Sequence, residues 1–380
     1  MADDVRIRTV LMTTDSVGGV WTHALELARA LGRRGVRVAL ATMGAPLLPS
    51  QREAVMQLPT TTIYESSYRL EWMENPWADV REAGDWLLRL ERALQPDVVH
   101  LNQFAFGALP FVAPKLLVAH SCVLSWWRAV HDQPAPALWT RYRHEVRRGL
   151  HGADLVGAPT LAMLNSLATN YGYWGGGVVL PNGRSVPTFS PGPKEEVILF
   201  AGRLWDAAKN IQALEAVAPH LPWPIRVAGS AAAPCGHAVE PSGVVKLGEL
   251  SPKSLAAELA SAAIYALPAR YEPFGQSALE AGLAGCALVL GDLESLREVW
   301  GDAALYVEPD DHDKLRSTLR RLIAEPSWRM HRGRLARARA LRYGPERMVR
   351  TYLDAYRRAY GDAGDAGDAG AVNAISHAEG

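Results

Sequence analysis

Cysteine is scarce in this chain of 380 residues. The three cysteines, Cys122, Cys235 and Cys286, stand far apart and form no C-x-x-C pair. That spacing argues against a disulfide scaffold and against a zinc site. It fits a reducing environment, so we expect a cytoplasmic protein.

The sequence also lacks the signals of membrane insertion and export. No run of apolar residues approaches roughly 18, the length at which a membrane-spanning helix becomes a candidate. The opening MADDVRIRTVLMTTD has neither the basic nor the apolar region of a signal peptide. We therefore expect neither a membrane span nor export.

An excess of charge of either sign is absent too. Lysine plus arginine number 40, and aspartate plus glutamate also number 40. The overall charge therefore gives no reason to expect a nucleic-acid partner. Arginines do cluster within residues 141–148 and 329–342. These clusters are typical of solvated helix faces, and peripheral docking on the inner face of an anionic membrane stays open as the alternative.

What the chain does contain is a regular alternation of strand and helix patterns. At roughly 150 residues per domain, its length suggests two domains. A strand at Arg6–Met12, a helix at Trp21–Arg33 and a strand at Val36–Thr42 form a first βαβ unit. The alternation stops in the proline-rich segment Ser185–Pro193 and restarts at Val197–Ala201.

The pattern predicts an α/β protein with two Rossmann-like domains, at residues 1–185 and 186–345. Ligands of such sheets bind at the carboxyl ends of the strands. The Gly-Asp-Ala repeats that begin near residue 361 have little to bury. They predict a disordered tail over residues 361–380.

The segment ARYEPFGQSALEA, Ala269–Ala281, is the most informative. It places Glu272 just before, and Glu280 inside, a predicted helix that begins near Gln276. The first backbone N–H groups of a helix have no partners within it and favour an anion. A diphosphate held there would put a sugar near Glu272 and a ribose near Glu280. Carboxylates are good hydrogen-bond acceptors for both.

Two cations precede that segment in FAGRLWDAAKN, Phe200–Asn210. Arg203 and Lys209 lie on either side of the turn into a predicted helix. A departing diphosphate needs fixed positive charge, which Arg and Lys must supply in a site without a metal. Two exposed surface cations are the alternative interpretation.

The N-terminal half offers weaker candidates. Gly18 and Gly19 follow the first strand and would let a phosphate or sugar approach the backbone closely. They are not part of a G-x-G-x-x-G fingerprint, so they do not support a nicotinamide site. His120 ends the predicted strand Lys115–Ala119, where it could bond a sugar hydroxyl or contact the acceptor. A purely structural histidine is the alternative.

Three further side chains are candidates for acceptor binding. His23 lies in the first helix, near the glycine pair. Trp126 and Trp127 follow His120 in a predicted loop. Aromatic faces stack on sugars, but they fill protein cores at least as often.

Together, GGVWTHALELARAL, the Pro181-Asn182-Gly183 turn, AGRLWDAAKN and EPFGQSALEA resemble the motif set of family-4 retaining glycosyltransferases. The resemblance runs in the same order through about residue 360. It implies the GT-B fold, in which two Rossmann-like domains face a central cleft and a last helix, here 346–360, crosses back onto the first domain. Arg184-Ser185 departs from the Val/Ile-Asp that many members carry after Asn-Gly.

The resemblance implies an enzyme that moves a hexosyl unit from a UDP- or GDP-sugar to a hydroxyl of a glycan, lipid or small molecule, as in polysaccharide biosynthesis. It implies no cofactor and no metal. The residues implied to act on the transferred sugar and the diphosphate are His120, Arg203, Lys209 and Glu272. Those implied to hold the donor are Gly18, Gly19, Phe274, Gly275, Gln276, Ser277, Glu280, Glu249 and Leu250.

The N-terminal motifs contain no obvious carboxylate that could act as a nucleophile beneath the anomeric carbon. Front-face transfer is therefore the favoured mechanism. A nucleotide-sugar epimerase, a phosphorylase and a non-catalytic sugar-binding protein remain as alternatives. An NAD-linked dehydrogenase is disfavoured because the phosphate fingerprint is missing.

Overall fold

The computed structural model describes residues 6–16, 18–233, 236 and 238–375, with side chains up to residue 361. The chain divides into two compact units. The first comprises Met1–Leu124, Ala135–Gly183 and Pro345–Gly380, and the second comprises Ser125–Pro134 and Arg184–Gly344. The divisions after Gly183 and Gly344 fall close to the boundaries predicted from the sequence. The assignment of Ser125–Pro134 to the second unit has no counterpart among those predictions.

Each unit is built around one parallel sheet. The strands of the first are β1 (Thr9–Asp15), β2 (Arg37–Met43), β3 (Thr61–Glu65), β4 (Val98–Leu101), β5 (Lys115–Val118), β6 (Leu155–Ala158) and β7 (Val178–Val179). They are arranged in the order β3-β2-β1-β4-β5-β6-β7. The strand order reverses its direction between β1 and β4, which makes that position the topological switch point.

The second sheet repeats this plan. Its strands are β8 (Glu195–Ala201), β9 (Ile225–Ala228), β10 (Val245–Gly248), β11 (Ala262–Leu267), β12 (Ala287–Gly291) and β13 (Leu305–Val307). Their order is β10-β9-β8-β11-β12-β13, so the switch point lies between β8 and β11. The predicted α/β architecture with two Rossmann-like domains is thereby confirmed.

Helices connect the strands in both units. In chain order they are α1 (Gly19–Arg33), α2 (Pro49–Met56), α3 (Trp77–Leu94), α4 (Val123–His131), α5 (Thr140–Gly152), α6 (Leu161–Tyr171), α7 (Ile211–Val217), α8 (Pro252–Ser261), α9 (Gln276–Leu283), α10 (Glu294–Trp300), α11 (His312–Ala324), α12 (Pro326–Ala340) and α13 (Pro345–Ile375). Short 3-10 turns, such as Ala207–Lys209, lie between some of them.

Buried apolar runs explain which strands the sequence reveals. Every residue of β4, β11 and β12 is buried, and apart from His100 on β4 these strands form continuous apolar segments. The strands β3 and β13 lie at sheet edges and contain polar or half-exposed residues, so they have no comparable apolar run in the sequence. An edge strand needs no apolar face on both sides, so it leaves a weaker signal.

Two further segments differ from the sequence-based expectation. The residues after His120, predicted as a loop, form the helix α4. Leu124 and Ser125 of this helix are buried, and Trp127 is half-buried. The last helix, α13, continues to Ile375, beyond residue 360, where a disordered tail is predicted. Residues 376–380 of that tail lie outside the described residues.

In the part of the chain that the structure describes, no helix combines the length and the apolar character needed to cross a membrane. Cys122 and Cys286 are buried free thiols. Cys235 lies outside the described residues.

A buried cluster of histidines and tyrosines fixes α13 to the first unit. His100 on β4 is fully buried, with Nδ1 2.9 Å from the Tyr356 hydroxyl. His23 on α1 is also buried, with Nε2 3.1 Å from the Tyr352 hydroxyl. Burial, with the nearby His120, lowers the pKa of His100 to about 3. Burial and the two other histidines hold the pKa of His23 well below its usual value.

This cluster should make the protein labile in acid. A histidine that resists protonation when folded is protonated more readily in the unfolded chain, so stability is lost as the pH falls below about 6.5. For His100 alone the loss should reach about 2 kcal/mol at pH 5. We expect His100→Asn to lower the slope of unfolding free energy against pH by about 1 kcal/mol per pH unit, averaged between pH 5 and 6.5. Urea denaturation across that range measures the slope.

The exposed His331 provides a matched control for the same substitution. His331→Asn should leave the slope close to that of the wild type. An equal slope in His100→Asn and wild-type protein would contradict the assignment of acid lability to the buried cluster.

Candidate active site

The motifs of the second unit meet at one edge of its sheet. Arg203 follows β8, and Glu272 follows β11, the neighbour of β8 on the other side of the switch point. Parallel strands end at the same edge, so segments distant in sequence are brought together there. This is where ligands of doubly wound sheets bind.

Lys209 and Glu272 form the central ion pair of this edge. Lys209 Nζ lies 2.5 Å from Glu272 Oε2, and both side chains are largely buried, with 14% and 12% exposed. Burial alone would raise the pKa of Glu272, but the charge and hydrogen bond of Lys209 outweigh it. The backbone N–H of Gly275 adds a bond of 2.9 Å to Oε1. The pKa is therefore lowered, and the carboxylate stays ionised.

The start of α9 has the form that the sequence predicts. Gly275 precedes the helix with a φ of 86°, a left-handed conformation that favours glycine. Phe274 is buried in the core, while Gln276 and Ser277 form the first turn. Ser277 Oγ lies 2.7 Å from the buried Tyr265 hydroxyl, and burial raises the pKa of that phenol. The first N–H groups of α9 therefore begin beside the Lys209–Glu272 pair.

Asp206 lies beside the predicted site residue Arg203, and the sequence analysis did not single it out. It is buried, with Oδ2 2.6 Å from the guanidinium of Arg203 and Oδ1 accepting from the backbone N–H of Ala208 at 3.1 Å. Burial alone would raise its pKa, but the charges of Arg203 and Lys209 hold it below its usual range. An aspartate three residues after an arginine is too common a pattern to have identified this role.

Trp126 contacts this same carboxylate. Its indole N–H donates to Asp206 Oδ1 at 2.8 Å. Trp126 and Trp127 also pack against His131, with ring centroids 5.7 and 4.4 Å away. Acceptor binding by the two tryptophans stays a prediction. The structure gives Trp126 a definite contact with the counter-ion of Arg203.

Glu280, the predicted ribose ligand, lies one turn into α9 and is 6% exposed. Arg184, the residue that departs from the family pattern, forms an ion pair with it at 2.8 Å. The Arg184 guanidinium also lies over the Phe189 ring, 5.0 Å from its centroid. The sequence identified Arg184 only as a departure, because 96 positions separate it from Glu280.

Glu249 and Leu250, predicted to border the nucleotide base, lie between β10 and α8. Glu249 is exposed, and Leu250 packs partly against the core. The carbonyl of Gly248 accepts from the backbone N–H of Gly229 at 2.8 Å, which joins the ends of β9 and β10. The two residues therefore lie at the same sheet edge as Arg203.

The candidates of the first unit lie at the corresponding edge of its own sheet. Gly18, with a φ of 81°, precedes α1, and Gly19 begins it. His120 follows β5, is partly exposed and has its Nε2 2.7 Å from Asn102 Oδ1. His23 lies behind it, with ring centroids 4.7 Å apart. Because His23 is only 1% exposed, direct contact with an acceptor is disfavoured, which corrects its prediction as an acceptor ligand.

No group of three or more His, Cys, Asp or Glu side chains that could hold a metal ion occurs in the described ranges. The cations that face Glu272 and Asp206 are side chains of this chain, Lys209 and Arg203.

The buried Lys209–Glu272 pair should be costly to break from one side. Removing one partner of such a pair leaves the other charge buried, a loss of about 3 kcal/mol. We expect Lys209→Met to lower the free energy of unfolding by about that amount and Lys209→Met/Glu272→Gln to recover part of it. A double-mutant cycle by urea denaturation measures the coupling.

The exposed pair of Lys246 and Glu240, with its nitrogen and oxygen 2.6 Å apart, is a matched control. Its coupling should be much weaker, since water screens both charges. Equal coupling in the two pairs would contradict the importance of burial.

Comparison with known proteins shows the family of this chain. Residues 17–186 match the model described as Glycosyltransferase Family 4, and residues 195–325 match that of Glycosyl transferases group 1. The chain is 26% identical to a D-inositol 3-phosphate glycosyltransferase of Nocardiopsis dassonvillei, over 90% of each chain.

Solved structures share the fold. Sucrose-phosphate synthase from Thermosynechococcus elongatus superposes with a TM-score of 0.78 at 18% identity, covering 93% of this chain and 99% of its own. HepE from Anabaena, solved in complex with UDP-glucose, superposes with a TM-score of 0.70 at 15% identity, covering 92% and 99%.

The matches favour a transferase that uses nucleotide sugars over an epimerase, a phosphorylase, a dehydrogenase or a non-catalytic binding protein. With two Rossmann-like units, and with the donor motifs brought together at one edge of the second sheet, the chain belongs to the family-4 glycosyltransferases of the GT-B fold.

Proposed function

We propose that this enzyme transfers a hexosyl unit, with retention of anomeric configuration, from a UDP- or GDP-sugar to a hydroxyl of a glycan, lipid or small molecule. The main support is the convergence of Arg203, Lys209 and Glu272 at the switch point of the second sheet. Two cations and the start of α9 favour a diphosphate. A buried, ionised carboxylate favours the hydroxyls of a sugar.

In the proposed reaction the bond between the anomeric carbon and the phosphate oxygen breaks first. The bonding electrons leave with the nucleoside diphosphate. The acceptor oxygen bonds to the anomeric carbon from the face that the leaving group vacates, and its proton passes to the departing phosphate oxygen. Arg203 and Lys209 stabilise the negative charge that develops, and no covalent enzyme intermediate is formed.

Because Arg203 and Lys209 supply fixed positive charge, the proposed reaction needs no metal or other cofactor. Before the donor binds, Lys209 forms an ion pair with Glu272. Its ammonium group can also interact with the diphosphate of a bound donor. Arg203 is held by Asp206 but remains 42% exposed, so it is accessible to a ligand. Each cation therefore has an anchoring carboxylate that fixes its position before the donor arrives.

For a lipid acceptor we also propose peripheral contact with an anionic membrane on the cytoplasmic side. The support is the helix α5, which exposes Arg141, Arg143, Arg147 and Arg148. An exposed basic helix is attracted to anionic lipid headgroups.

Arg203 and Lys209 should each be required for turnover. By analogy with the loss of one oxyanion donor, Arg203→Ala or Lys209→Ala should cost about 2–4 kcal/mol of transition-state stabilisation. This corresponds to a fall in kcat of roughly 30- to 1,000-fold. Steady-state kinetics with the active donor measure it, with Lys246→Ala, an exposed cation of the same unit, as the control. Normal turnover in both variants would contradict the proposal.

A donor screen should identify the nucleotide. A nucleoside diphosphate present at about 100 times its Kd stabilises the protein by about 2.7 kcal/mol. We therefore expect UDP or GDP, but not the other, to raise Tm in a thermal shift measurement. Proton NMR of the product formed with the matching sugar should show the donor's anomeric configuration. An inverted product would exclude the retaining mechanism.

A further inference from the structure

Asn102, directly after β4, is held in one orientation by Thr13 of the neighbouring strand β1. Its backbone N–H donates to Thr13 Oγ1 at 2.9 Å, and its side-chain Nδ2 donates to the Thr13 carbonyl at 2.6 Å. Thr13 is fully buried. The two residues span the switch point of the first sheet, between β1 and β4. The carboxamide nitrogen therefore faces Thr13.

This orientation decides which atom of Asn102 faces His120. The carboxamide oxygen, Oδ1, lies 2.7 Å from His120 Nε2. An amide oxygen can only accept a hydrogen bond, so Nε2 must carry the hydrogen. With the amide reversed, two oxygens would face each other across 2.6 Å at Thr13, which is repulsive. The contacts of Asn102 thus select one tautomer of His120.

The imidazole of His120 is neutral. Burial lowers its pKa to about 4, and the two histidines that face it, His23 and His100, are themselves held neutral by burial. A neutral imidazole with its hydrogen on Nε2 has an unprotonated Nδ1, which accepts hydrogen bonds. His120 is partly exposed, whereas His23 and His100 are buried. It is therefore the histidine of this cluster that a ligand can reach.

We propose that Asn102 is a positioning residue that fixes His120 as the Nε2–H tautomer, so that Nδ1 accepts a hydrogen bond from a hydroxyl of the transferred sugar. The sugar-binding half of this inference rests on the proposed function. The tautomer half rests on Thr13, Asn102 and His120 alone. One consequence is that His120 cannot act as a general acid through Nδ1 at neutral pH.

The tautomer can be tested in the protein without substrate. Protein labelled with 15N at its eleven histidines gives two-bond proton–nitrogen correlations that distinguish the two tautomers. The His120 pattern is assigned by its loss in His120→Gln. At pH 7 we expect the Nε2–H pattern in the wild type and a mixture of both tautomers in Asn102→Ala. Asn165→Ala, which changes an exposed asparagine of the same unit, should keep the wild-type pattern. An Nδ1–H pattern in the wild type would overturn the proposal.

Catalysis by Asn102→Asp provides a second test, which a merely structural role would not pass. A carboxylate beside Nε2 should favour the doubly protonated imidazole, in which Nδ1 carries a hydrogen and no longer accepts. The second carboxylate oxygen faces the Thr13 carbonyl, so part of the loss in kcat/KM should be independent of pH. Relative to the wild type at the same pH, we expect kcat/KM to fall about ten-fold further between pH 9 and pH 6, the size of one lost hydrogen bond. A loss that does not change with pH would overturn the positioning role.

A donor that lacks one hydroxyl links the histidine to the sugar. With the deoxy donor that removes the hydroxyl bound by Nδ1, Asn102→Ala should cost much less in kcat/KM than with the complete donor. Equal costs across all the monodeoxy donors would overturn the sugar contact. If no nucleotide sugar is turned over at all, the proposed function fails, while the NMR experiment still decides the tautomer.

Discussion

The site of this protein depends on the pairing of buried charges at the switch point of the second sheet. Glu272 can remain ionised where it is buried only because Lys209 and the backbone of Gly275 compensate for the lost water. The same constraint holds for Asp206, which is ionised because Arg203 and Lys209 lie beside it. Each carboxylate therefore holds a cation in place, and the cations are oriented before any ligand arrives. Such preorganised charge is what stabilises a developing diphosphate most effectively.

In the first unit, buried polar groups are also paired, but the groups are neutral and not charged. His23 and His100 are buried with tyrosine hydroxyls of α13 as partners, and Asn102 is held by Thr13. These contacts connect the last helix to the strands at the switch point of the first sheet. The residues that hold α13 in place thus adjoin the residue that orients His120. Stability and the geometry of the partly exposed His120 therefore depend on one small cluster.

Two contacts in the second unit become understandable in these terms. Arg184, which stands where many members carry an apolar residue, supplies a cation to the buried Glu280. Trp126, for which acceptor stacking stays a prediction, donates a hydrogen bond to Asp206. In both cases a buried carboxylate acquires a partner from a segment far away in sequence. A buried carboxylate needs a positively charged or hydrogen-bonding partner. Neither Arg184 nor Trp126, considered alone in the sequence, shows that it is such a partner.

The sequence alone determined the alternation of strands and helices, the two Rossmann-like domains and the family, because these follow from local apolar periodicity and from short contiguous motifs. It also predicted Arg203, Lys209, Glu272 and Glu280 as site residues, since each lies inside such a motif. Only the tertiary structure decided the contacts around them: Asp206, itself bonded to Trp126, for Arg203, Arg184 for Glu280, and Asn102 for His120. The physical reason is that parallel strands bring to one sheet edge residues that are widely separated in the chain. Hydrogen bonds across that edge depend on atomic orientation, which spacing in a sequence does not encode.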